Sequence, residues 1–571
     1  MTTDFKALLA AHRARINAKT IHSDSPLPVA SIPSIESPNY GTDKDGNRIS
    51  YNEAQTRFIE LAESGASCVL IGAAGTGKTT VMKAVMAALI QANLAPPMGA
   101  HNHKYLPQNG PGISVSAYTR RATNNIRKNL TTDLAGNAIT IHKLLEYEPV
   151  YEEILDSETG KNRTTMQFLP ARNSYNKLPH SLRVCVIEEG SMCSLELFNQ
   201  VSAAMQEGVQ YIFLGDIQQL PPVFGSAILG YKMLELPVVE LTEVYRQALD
   251  SPIIRLAHRI LSGVPIPVTE FQEWYIPGKL RLHDWKKRIS ADSAVETLAK
   301  FFLDQLDKKL YDPETDAILI PFNKSCGTDE LNRYIANAIA KRDGKLVWEV
   351  IHGFRKTYLS TGDKCLYDKE DAIVLNIYPN PTYFGNQPQG ESKSLDYWGH
   401  KRAESGEVVK VSKSDDDDID FMLAGMNVQM GDEDTVREAS HVVELQLLDS
   451  DRTVKIKAAG EFNNLILGYA ITVHKSQGSE WEKVYLCLHN SHNTMLSREL
   501  LYTAVTRAKK ELFVICEPDT FIKGITNQRI RGNSLAEKAE FFKGKLERNE
   551  LQSRSIPNNP REPQPSYDAP F

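Results

Sequence analysis

The sequence feature that most constrains the fold is the stretch Gly72–Thr79, which reads GAAGTGKT. It matches the pattern G-x-x-x-x-G-K-[ST] and follows the apolar run SCVLI. It precedes a segment in which Val81, Val85 and Leu89 recur every fourth residue. Glycines let backbone N–H groups curl around phosphate oxygens, and the N-terminus of the following helix attracts the anion. The stretch therefore predicts a strand, a phosphate-binding loop and a helix, and the alternative is a chance match in an unrelated loop.

This loop predicts ATP and Mg²⁺ as cofactors. The motif places Lys78 to reach the β- and γ-phosphates and Thr79 to hold Mg²⁺. The residues expected to contact the nucleotide here are Gly72, Ala73, Ala74, Gly75, Thr76, Gly77, Lys78, Thr79 and Thr80.

Two later segments supply polar side chains at predicted strand ends. Glu188 and Glu189 follow the apolar run Arg183–Ile187. In a P-loop enzyme the first of two such carboxylates can order Mg²⁺ through water, and the second can polarise the attacking water. Gln219, in GDIQQLPPV after the run Tyr211–Leu214, can sense the γ-phosphate by a hydrogen bond. The alternatives are solvated surface acids and a strand exit closed by prolines.

Composition narrows the class of protein. The chain has 571 residues, enough for several domains, and a formal net charge of −6, so any DNA path must be a local basic stripe. Its seven cysteines form no C-x-x-C pair, which argues against a zinc ribbon or a disulfide framework and fits a reducing compartment. The sequence has no membrane-length apolar run, and its N-terminus has no apolar signal-peptide core.

Short apolar runs alternating with helical patterns predict an α/β fold with parallel sheets covered on both faces. One such pattern spans about 51–239, and a second includes Ala317–Pro321. The second is interrupted by 346–459, whose alternating runs such as HVVELQLLD predict a β-rich insertion. Residues 1–50 predict a flexible arm with a short amphipathic helix at Phe5–Ile16, and the residues after about Leu551 predict a disordered Pro-rich tail.

In their order along the chain, these segments resemble superfamily 1 helicases, specifically the RecD/Dda-like (Pif-like) 5′→3′ group, and most of all the Dda helicase of T-even phages. Besides the P-loop, the matching segments are YNEAQ at 51–55, Ser116–Ile126, Thr140–Leu144, EEGSM at 188–192, GDIQQLPPV at 215–223, Leu241–Gln247, Ile318–Lys324, Ala470–Gly478 and Leu501–Ala508. Each segment is short, but the whole set in order is specific.

The resemblance implies two RecA-like lobes with an insertion in each. The implied boundaries are a first lobe at 51–145 and 176–239, a β-hairpin at 146–175, a second lobe at 240–345 and 460–522, a small-barrel-like insertion at 346–459, and a C-terminal helix and tail at 523–571. Relatives carry a strand-separating pin at the hairpin position, so we interpret Tyr151–Pro170 as that pin, with a decorative hairpin as the alternative. The second insertion would clamp DNA, and its acidic run Ser414–Asp420 is interpreted as a solvated loop.

The resemblance also implies site residues. The catalytic set would be Lys78, Glu188, Glu189, Gln219, Arg246 and Arg507, with Arg246 on the γ-phosphate and Arg507 as arginine finger. Asn52 and Gln55 would contact adenine, and Gly478 would complete the nucleotide site. Residues bordering DNA would be Thr119, Thr140, His142, Thr472, His474 and Lys475. The alternatives are surface ion pairs for the arginines and satisfied loop residues for the threonines and histidines.

The implied function is an ATP-dependent DNA helicase that moves 5′→3′ on single-stranded DNA as a monomer, in the cytoplasm of a bacterium or phage-infected host. Its partners would be single-stranded DNA and forked or tailed duplex DNA. The final residues Ser566–Phe571 resemble the acidic tip of bacterial single-strand-binding proteins, so a replisome or single-strand-binding protein is a candidate partner, with chance as the alternative. The track could also be RNA, and the pathway is open among replication, recombination and repair.

Three other functions stay open. One is a translocase that strips proteins from single strands without much unwinding. Another is an ATP-gated DNA-binding scaffold, because the family has Asp-Glu where this chain has Glu188-Glu189. The extra methylene shifts a carboxylate near Mg²⁺, whose coordination geometry is strict. The third is a P-loop ATPase unrelated to nucleic acids.

Substituting each of the two acids in turn tests the role assigned to it. Glu188→Asp restores the family's shorter side chain, so ATP turnover should be kept or raised. Glu189→Gln removes the carboxylate expected to polarise water, so turnover should fall by about 10²-fold or more. Steady-state ATP hydrolysis with single-stranded DNA measures both variants. An inactive Glu188→Asp protein would contradict this interpretation of the pair.

Overall fold

The computed structural model describes most of the chain between residues 49 and 555. The described residues are 49–155, 162–222, 225–245, 250–267, 270, 276–284, 288–353, 355–367, 370–383, 438–448 and 452–555. The predicted N-terminal arm at 1–48, the acidic run Ser414–Asp420 and the tail Ser566–Phe571 lie outside them. No helix of the described part is both long and apolar enough to cross a membrane.

The first lobe is built on a six-stranded sheet, all of whose pairings are parallel, in the order β3-β2-β6-β7-β1-β8. The strands of this part of the chain are β1 (Cys68–Gly72), β2 (Ile113–Ala117), β3 (Ala138–Thr140), β4 (Tyr147–Leu155), β5 (Asn162–Pro170), β6 (Val184–Ile187), β7 (Gln210–Gly215) and β8 (Val238–Leu241). The helices are α1 (Glu53–Glu63), α2 (Lys78–Gln91), α3 (Arg120–Asn129), α4 (Thr132–Ala135), α5 (Ile141–Leu144), α6 (Leu195–Ala204) and α7 (Ile228–Glu235).

The second lobe is built on a five-stranded parallel sheet in the order β18-β10-β19-β20-β9. Its strands are β9 (Leu280–Asp284), β10 (Asp316–Ile320), β18 (Ala470–Thr472), β19 (Trp481–Leu488) and β20 (Ala508–Cys516). The helices from here to the end of the described chain are α8 (Pro252–Leu261), α9 (Ala291–Asp307), α10 (Thr328–Arg342), α11 (Arg498–Val505), α12 (Pro518–Thr526) and α13 (Leu535–Ser555).

Helices cover both faces of this second sheet, as its apolar strands require. Along β10, Ala317 and Leu319 belong to one hydrophobic core, whereas Ile318 and Ile320 belong to the core on the opposite face. Alternate side chains of a strand point to opposite faces, so a strand buried on both is apolar throughout. The predicted α/β class with two parallel-sheet lobes is therefore confirmed.

The predicted β-rich insertion is also confirmed, as a five-stranded antiparallel sheet in the order β16-β15-β14-β13-β17 with a separate hairpin of β11 and β12. The strands are β11 (Trp348–His352), β12 (Arg355–Leu359), β13 (Lys364–Tyr367), β14 (Glu370–Pro379), β15 (Glu438–Leu447), β16 (Arg452–Ala458) and β17 (Leu465–Leu467). The sheet thus includes β17, beyond the boundary expected at 459, because this three-residue strand pairs with β13.

In the first lobe, β4 and β5 form the predicted antiparallel hairpin, paired from Tyr147 with Pro170 to Leu155 with Asn162. A buried ion pair closes its base. The Arg172 Nε atom donates to Glu146 Oε2 over 2.6 Å, and Arg172 also donates to the Asn102 carbonyl over 3.0 Å. Burial opposes ionisation of Glu146, but hydrogen bonds from Arg172 and the Lys104 backbone outweigh it and lower the carboxyl pKa.

Breaking this pair should destabilise the first lobe. Arg172→Met leaves the Glu146 carboxylate buried without its guanidinium, which should cost about 3 kcal/mol of unfolding free energy. Urea unfolding and hydrogen exchange of the hairpin amides measure the loss. Because the folded pKa of Glu146 is lowered, the stabilisation is fully present above its ordinary pKa of 4.5 and fades as the pH falls through the folded value.

The matched control is Arg342→Met. Arg342 also pairs with a carboxylate, Asp307, over 2.7 Å, but its side chain is 41% exposed. An exposed pair contributes at most about 1 kcal/mol. Equal losses in the two variants would contradict a special role for the hairpin base.

Candidate functional site

The loop between β1 and α2 has the geometry of a phosphate-binding loop. Gly75 and Gly77 adopt positive φ angles of 82° and 85°, a backbone region that glycine enters without strain. The Lys78 Nζ atom donates to the carbonyls of Gly72 (2.7 Å) and Ala73 (3.1 Å), so the ammonium lies inside the curve of the loop. Thr79 and Thr80 follow in the first turn of α2, where the helix N-terminus favours anions.

The two predicted acids and Gln219 lie at the same edge of this sheet. Strands β1, β6 and β7 run parallel, so their carboxyl ends meet there, next to the loop. Burial raises the pKa of Glu188 to about 8, the charge of Glu189 adds to the rise, and the Lys78 ammonium lowers it. The acid pair and the loop lysine therefore share one electrostatic environment.

Two buried oxygen atoms in this region have no hydrogen-bond partner within the described chain, Glu189 Oε2 and Gln219 Oε1. An unsatisfied buried oxygen carries a desolvation cost that a ligand, ion or water can remove. The donor set suits Mg²⁺, which usually takes only one or two protein oxygens and completes its shell with phosphates and water. Thr79 and Glu188 would supply those oxygens. The described residues contain no cluster of three metal-binding side chains, as an all-protein metal cage would need.

The second lobe closes over this edge through direct hydrogen bonds. The Ala74 N–H donates to the Tyr502 hydroxyl over 2.6 Å, and that hydroxyl donates to Asp216 Oδ2 over 2.5 Å. Nearby, the Leu220 N–H donates to Thr503 Oγ1 over 2.9 Å. Gln477 of the second lobe donates to the Leu220 carbonyl over 2.8 Å. The phosphate loop and the strand exit after β7 thus both contact the α11 region.

Two predicted residues of the second lobe lie near the segments that form this interface. Arg507 is 4% exposed and its guanidinium donates to the carbonyls of Thr503 (2.9 Å) and Ser479 (3.2 Å). Gly478 has a φ of 75° and approaches α3 so closely that a Cβ there would lie 2.7 Å from Thr119 Oγ1. Gly478 thereby contacts the first lobe. Arg246 lies outside the described residues.

The two residues expected at adenine take part in capping α1. Asn52 Oδ1 accepts from the Gln55 N–H over 2.9 Å, and Gln55 Oε1 accepts from the Asn52 N–H over 3.1 Å, which is a reciprocal capping box. Gln55 Oε1 also accepts from the Tyr245 hydroxyl over 2.5 Å. The Tyr245 ring in turn lies against Gly77, where a Cβ would be 2.8 Å away. These side chains border the phosphate loop, and Tyr245 was missed from sequence.

The three threonines predicted to border DNA all lie at or just after the end of a parallel strand. Thr119 lies just after β2 and Thr140 ends β3, and they cap the N-termini of α3 and α5 by accepting from Ala122 N (3.1 Å) and Lys143 N (3.2 Å). Thr472 ends β18 and accepts from Lys475 N over 3.2 Å. Each threonine oxygen occupies one backbone N–H of its turn, and the other N–H groups at the start of such a turn are of the kind that binds DNA phosphates.

The two histidines and the lysine differ in exposure. His142 is 3% exposed and packs between the rings of Tyr118 and Tyr147, with centroid distances of 5.5 and 5.2 Å. Its burial favours the alternative of a packed residue over direct contact with DNA. His474 is half-buried, which lowers its pKa, and Lys475 is exposed.

Two sequence profiles match this chain. One, described as an AAA domain, covers residues 50–274, and another, described as a UvrD-like helicase C-terminal domain, covers 467–515. The chain is 28% identical over 463 residues to an ATP-dependent RecD2 DNA helicase of Deinococcus radiodurans, spanning 81% of this chain but 48% of that protein. It is 24% identical over 503 residues to the RecBCD enzyme subunit RecD of Mycobacterium tuberculosis, spanning 85% and 72%. Over most of its length, the chain is thus similar to RecD-type helicases.

Solved structures give weaker likenesses. The Pif1 helicase of Candida albicans is 16% identical with a TM-score of 0.42, covering 87% of this chain and 99% of that one. A Bacteroides Pif1 bound to single-stranded DNA is 14% identical with a TM-score of 0.42, covering 87% and 98%. At these scores, the assignment of the fold rests on the strand order of the two sheets rather than on superposition.

Sequence reasoning missed the groups that join the lobes. Asp216 and Tyr502 each lie inside a segment that resembles the helicase family. Their positions at a strand end and on a helix could have suggested that they touch. Further links run from α3 to the insertion and the second lobe: Arg120 pairs with Glu370 over 3.1 Å, and Arg121 pairs with Asp371 over 2.7 Å. No local pattern signals such long-range pairs.

Removing the Tyr502 hydroxyl tests the link between the lobes. Tyr502→Phe leaves the Ala74 N–H and the Asp216 carboxylate without that partner in a buried place, which costs about 1–3 kcal/mol. We expect DNA-stimulated ATP turnover to fall by on the order of tenfold. Tyr485→Phe is the control, because its hydroxyl donates over 3.1 Å to the Leu310 carbonyl, inside the second lobe. Similar turnover for both variants and wild type would rule out a role for the link in hydrolysis.

Proposed function

We propose that this protein is an ATP-driven DNA helicase that moves on single-stranded DNA. The observation that carries the proposal is the bridge between the lobes, in which Tyr502 joins the backbone of the phosphate loop to Asp216. A site at such a junction can convert nucleotide binding and release into relative movement of the lobes. The similarity to RecD-type helicases supports DNA as the track.

The chain's own residues would divide the hydrolytic work between the lobes. Lys78 would neutralise charge on the phosphates, Glu189 would orient and polarise the attacking water, and Gln219 would sense the γ-phosphate. Mg²⁺, held by Thr79 and Glu188, would supply charge neutralisation at the phosphate oxygens. Arg507 and Arg246 would contribute further positive charge when the lobes close.

On the DNA side, Thr119, Thr140 and Thr472 would present backbone N–H groups of their capped turns to phosphates. Lys475, which is exposed, would add a positive charge, and His474 would lie beside it. Stacking of bases and backbone contacts would make the grip independent of sequence. The hairpin of β4 and β5 would act as the pin that divides the strands, and its ion-paired base at Glu146 and Arg172 would keep it rigid.

Finer assignments belong to the same proposal. We infer 5′→3′ movement, monomeric action and a closer relation to the Dda helicase from the resemblance of the segments. Forked and tailed duplexes would be substrates in replication, recombination or repair, and a single-strand-binding or replisome protein would be a partner. The compartment would be the cytoplasm of a bacterium or a phage-infected host.

The second candidate is an ATP-gated DNA-binding scaffold, and one observation favours it. Glu188 stands where the family has aspartate, and burial raises its pKa to about 8. Its extra methylene would shift a carboxylate next to Mg²⁺, whose coordination geometry is strict. The scaffold would bind ATP and DNA tightly and hydrolyse little.

ATP hydrolysis with and without single-stranded DNA decides between the two. For wild type we expect stimulation by DNA, and loss of about 10²-fold or more in Lys78→Ala, because the phosphates lose their lysine. Tight DNA binding with negligible wild-type hydrolysis would instead establish the scaffold. Hydrolysis without any response to DNA would point to an unrelated ATPase.

Unwinding of 5′-tailed and 3′-tailed duplexes then tests the direction of movement and the role of the β4–β5 hairpin as the strand-separating pin. Wild type should open the 5′-tailed duplex. A deletion of Ser157–Arg163 at the hairpin turn should keep ATPase activity and lose most unwinding. Preference for the 3′ tail would overturn the direction, and full unwinding by the deletion variant would overturn the pin.

A further inference from the structure

The C-terminal helix α13 follows the second lobe in sequence but packs on the first. The Phe542 ring lies 5.8 Å from the ring of Tyr231 and covers Gly230, where a Cβ would lie 2.4 Å from it. Ile530 and Phe542 belong to the core of the first lobe, and Leu535 packs against it. The close approach over Gly230 fixes where α13 sits along α7.

This packing buries one lysine, Lys538, which is 1% exposed. Its Nζ atom donates a hydrogen bond to Gln218 Oε1. Burying an ammonium group costs several kcal/mol unless opposite charges and acceptors compensate. Two carboxylates almost wholly withdrawn from solvent, Asp216 and Glu499, supply the opposite charge. Lys538 lies outside every segment that resembles the helicase family. Its ammonium group contacts the turn that follows β7.

Gln218 lies in the turn after β7, between Asp216 and Gln219 in the sequence. Its own N–H donates to Asp216 Oδ1 over 2.9 Å, and Asp216 Oδ2 accepts from Tyr502. The next residue is Gln219, whose Oε1 is buried without a partner within the described chain. Lys538 therefore holds this turn from α13.

The chain leading into α13 is also fastened to α11 of the second lobe. The Glu499 carboxylate accepts from the backbone N–H groups of Arg529 (3.0 Å) and Ile530 (2.9 Å). The Arg498 guanidinium donates to the Ile525 carbonyl over 3.1 Å and to Asn533 Oδ1 over 3.1 Å. One short segment thus joins the start of α11 to the Gln218 turn.

We propose that Lys538 is a positioning residue for ATP hydrolysis, which acts from α13 by holding Gln218 so that Gln219 and Asp216 keep their places at the nucleotide site. The inference rests on the proposed ATPase function. Lys538 touches no nucleotide; its effect passes through Gln218 to the turn at the end of β7.

Three variants test this role. Lys538→Met keeps the length of the side chain and removes the charge, Lys538→Arg keeps the charge, and Lys543→Met is the control on the exposed face of α13. With saturating single-stranded DNA, Lys538→Met should lower kcat by on the order of tenfold, with KM for ATP and DNA affinity within about twofold of wild type. Lys538→Arg should recover part of kcat, and Lys543→Met should match wild type. A kcat for Lys538→Met within twofold of wild type would overturn the proposal.

The acceptor supplies a second test, should Lys538→Met fail to fold. Gln218→Met removes the hydrogen bond from the other side and should lower kcat to a similar extent, whereas an unchanged kcat would overturn the proposal. If both single variants fold, the double variant should lose no more than either one, because they disable one interaction. Independent, multiplying losses would show that Lys538 does not act through Gln218.

The pH profile separates positioning from packing. Burial lowers the pKa of Lys538 to about 8, although Glu499, Asp216 and Glu240 raise it and Arg498 lowers it further. Loss of its proton should weaken the grip on Gln218, so wild-type kcat should decline above about pH 8. In Lys538→Arg the guanidinium stays protonated, and the decline should move to higher pH. Identical alkaline profiles for the two proteins would contradict the proposed role.

These outcomes are distinct from failure of the proposed function. Wild-type protein without DNA-stimulated hydrolysis would overturn both inferences at once. Stimulated hydrolysis that Lys538→Met leaves intact would overturn only the role of Lys538.

Discussion

The hydroxyl group of Tyr502 is the contact on which the arrangement of the two lobes depends. It accepts from the Ala74 backbone at 2.6 Å and donates to Asp216 at 2.5 Å, although Tyr502 belongs to the other lobe. The ring is fully buried, and burial first of all, then Asp216, raises the hydroxyl pKa well above its usual value, so the proton remains for donation. The phosphate loop and the turn after β7 are thereby each linked to α11 by one short hydrogen bond.

The chemistry can collect at this junction because of sheet direction. Parallel strands send the phosphate loop, the glutamate pair and the Gln219 turn to one edge of the first sheet. In the second lobe, Thr472 ends β18 in the same way. The proposed binding of DNA is compatible with a net charge of −6, because backbone N–H groups of the turns after such strands would contact phosphates without adding side-chain charge.

Features that depend on neighbouring residues in the chain could be predicted from the sequence, whereas features that depend on the whole fold could not. Local periodicity and turn chemistry identify the loop at Gly72–Thr79, the short buried strands and the β4–β5 hairpin, since each is determined by neighbours in the chain. Burial depends on the whole fold, and for that reason His142 could not be recognised as a packed ring between two tyrosines. The reciprocal cap formed by Asn52 and Gln55 is local, and its Asn-x-x-Gln spacing could have revealed it. The position of α13 could not be predicted in this way. Nothing in the sequence distinguishes Gly230 from any other helical glycine, and only the folded structure shows that Phe542 packs over it.

The charges buried behind the junction hold the lobes together and, in the proposed motor, would also allow them to separate. Asp216, Glu499, Lys538, Arg498 and Arg507 are all at most 9% exposed, and they include both signs. Such a cluster is stable only while each charge keeps its partners, since any one left alone in a dry place costs several kcal/mol. Opening the lobes would hydrate the same groups and remove much of that cost, so open and closed arrangements can lie close in free energy. A nucleotide that binds the closed arrangement more tightly could then shift the balance, as a motor requires.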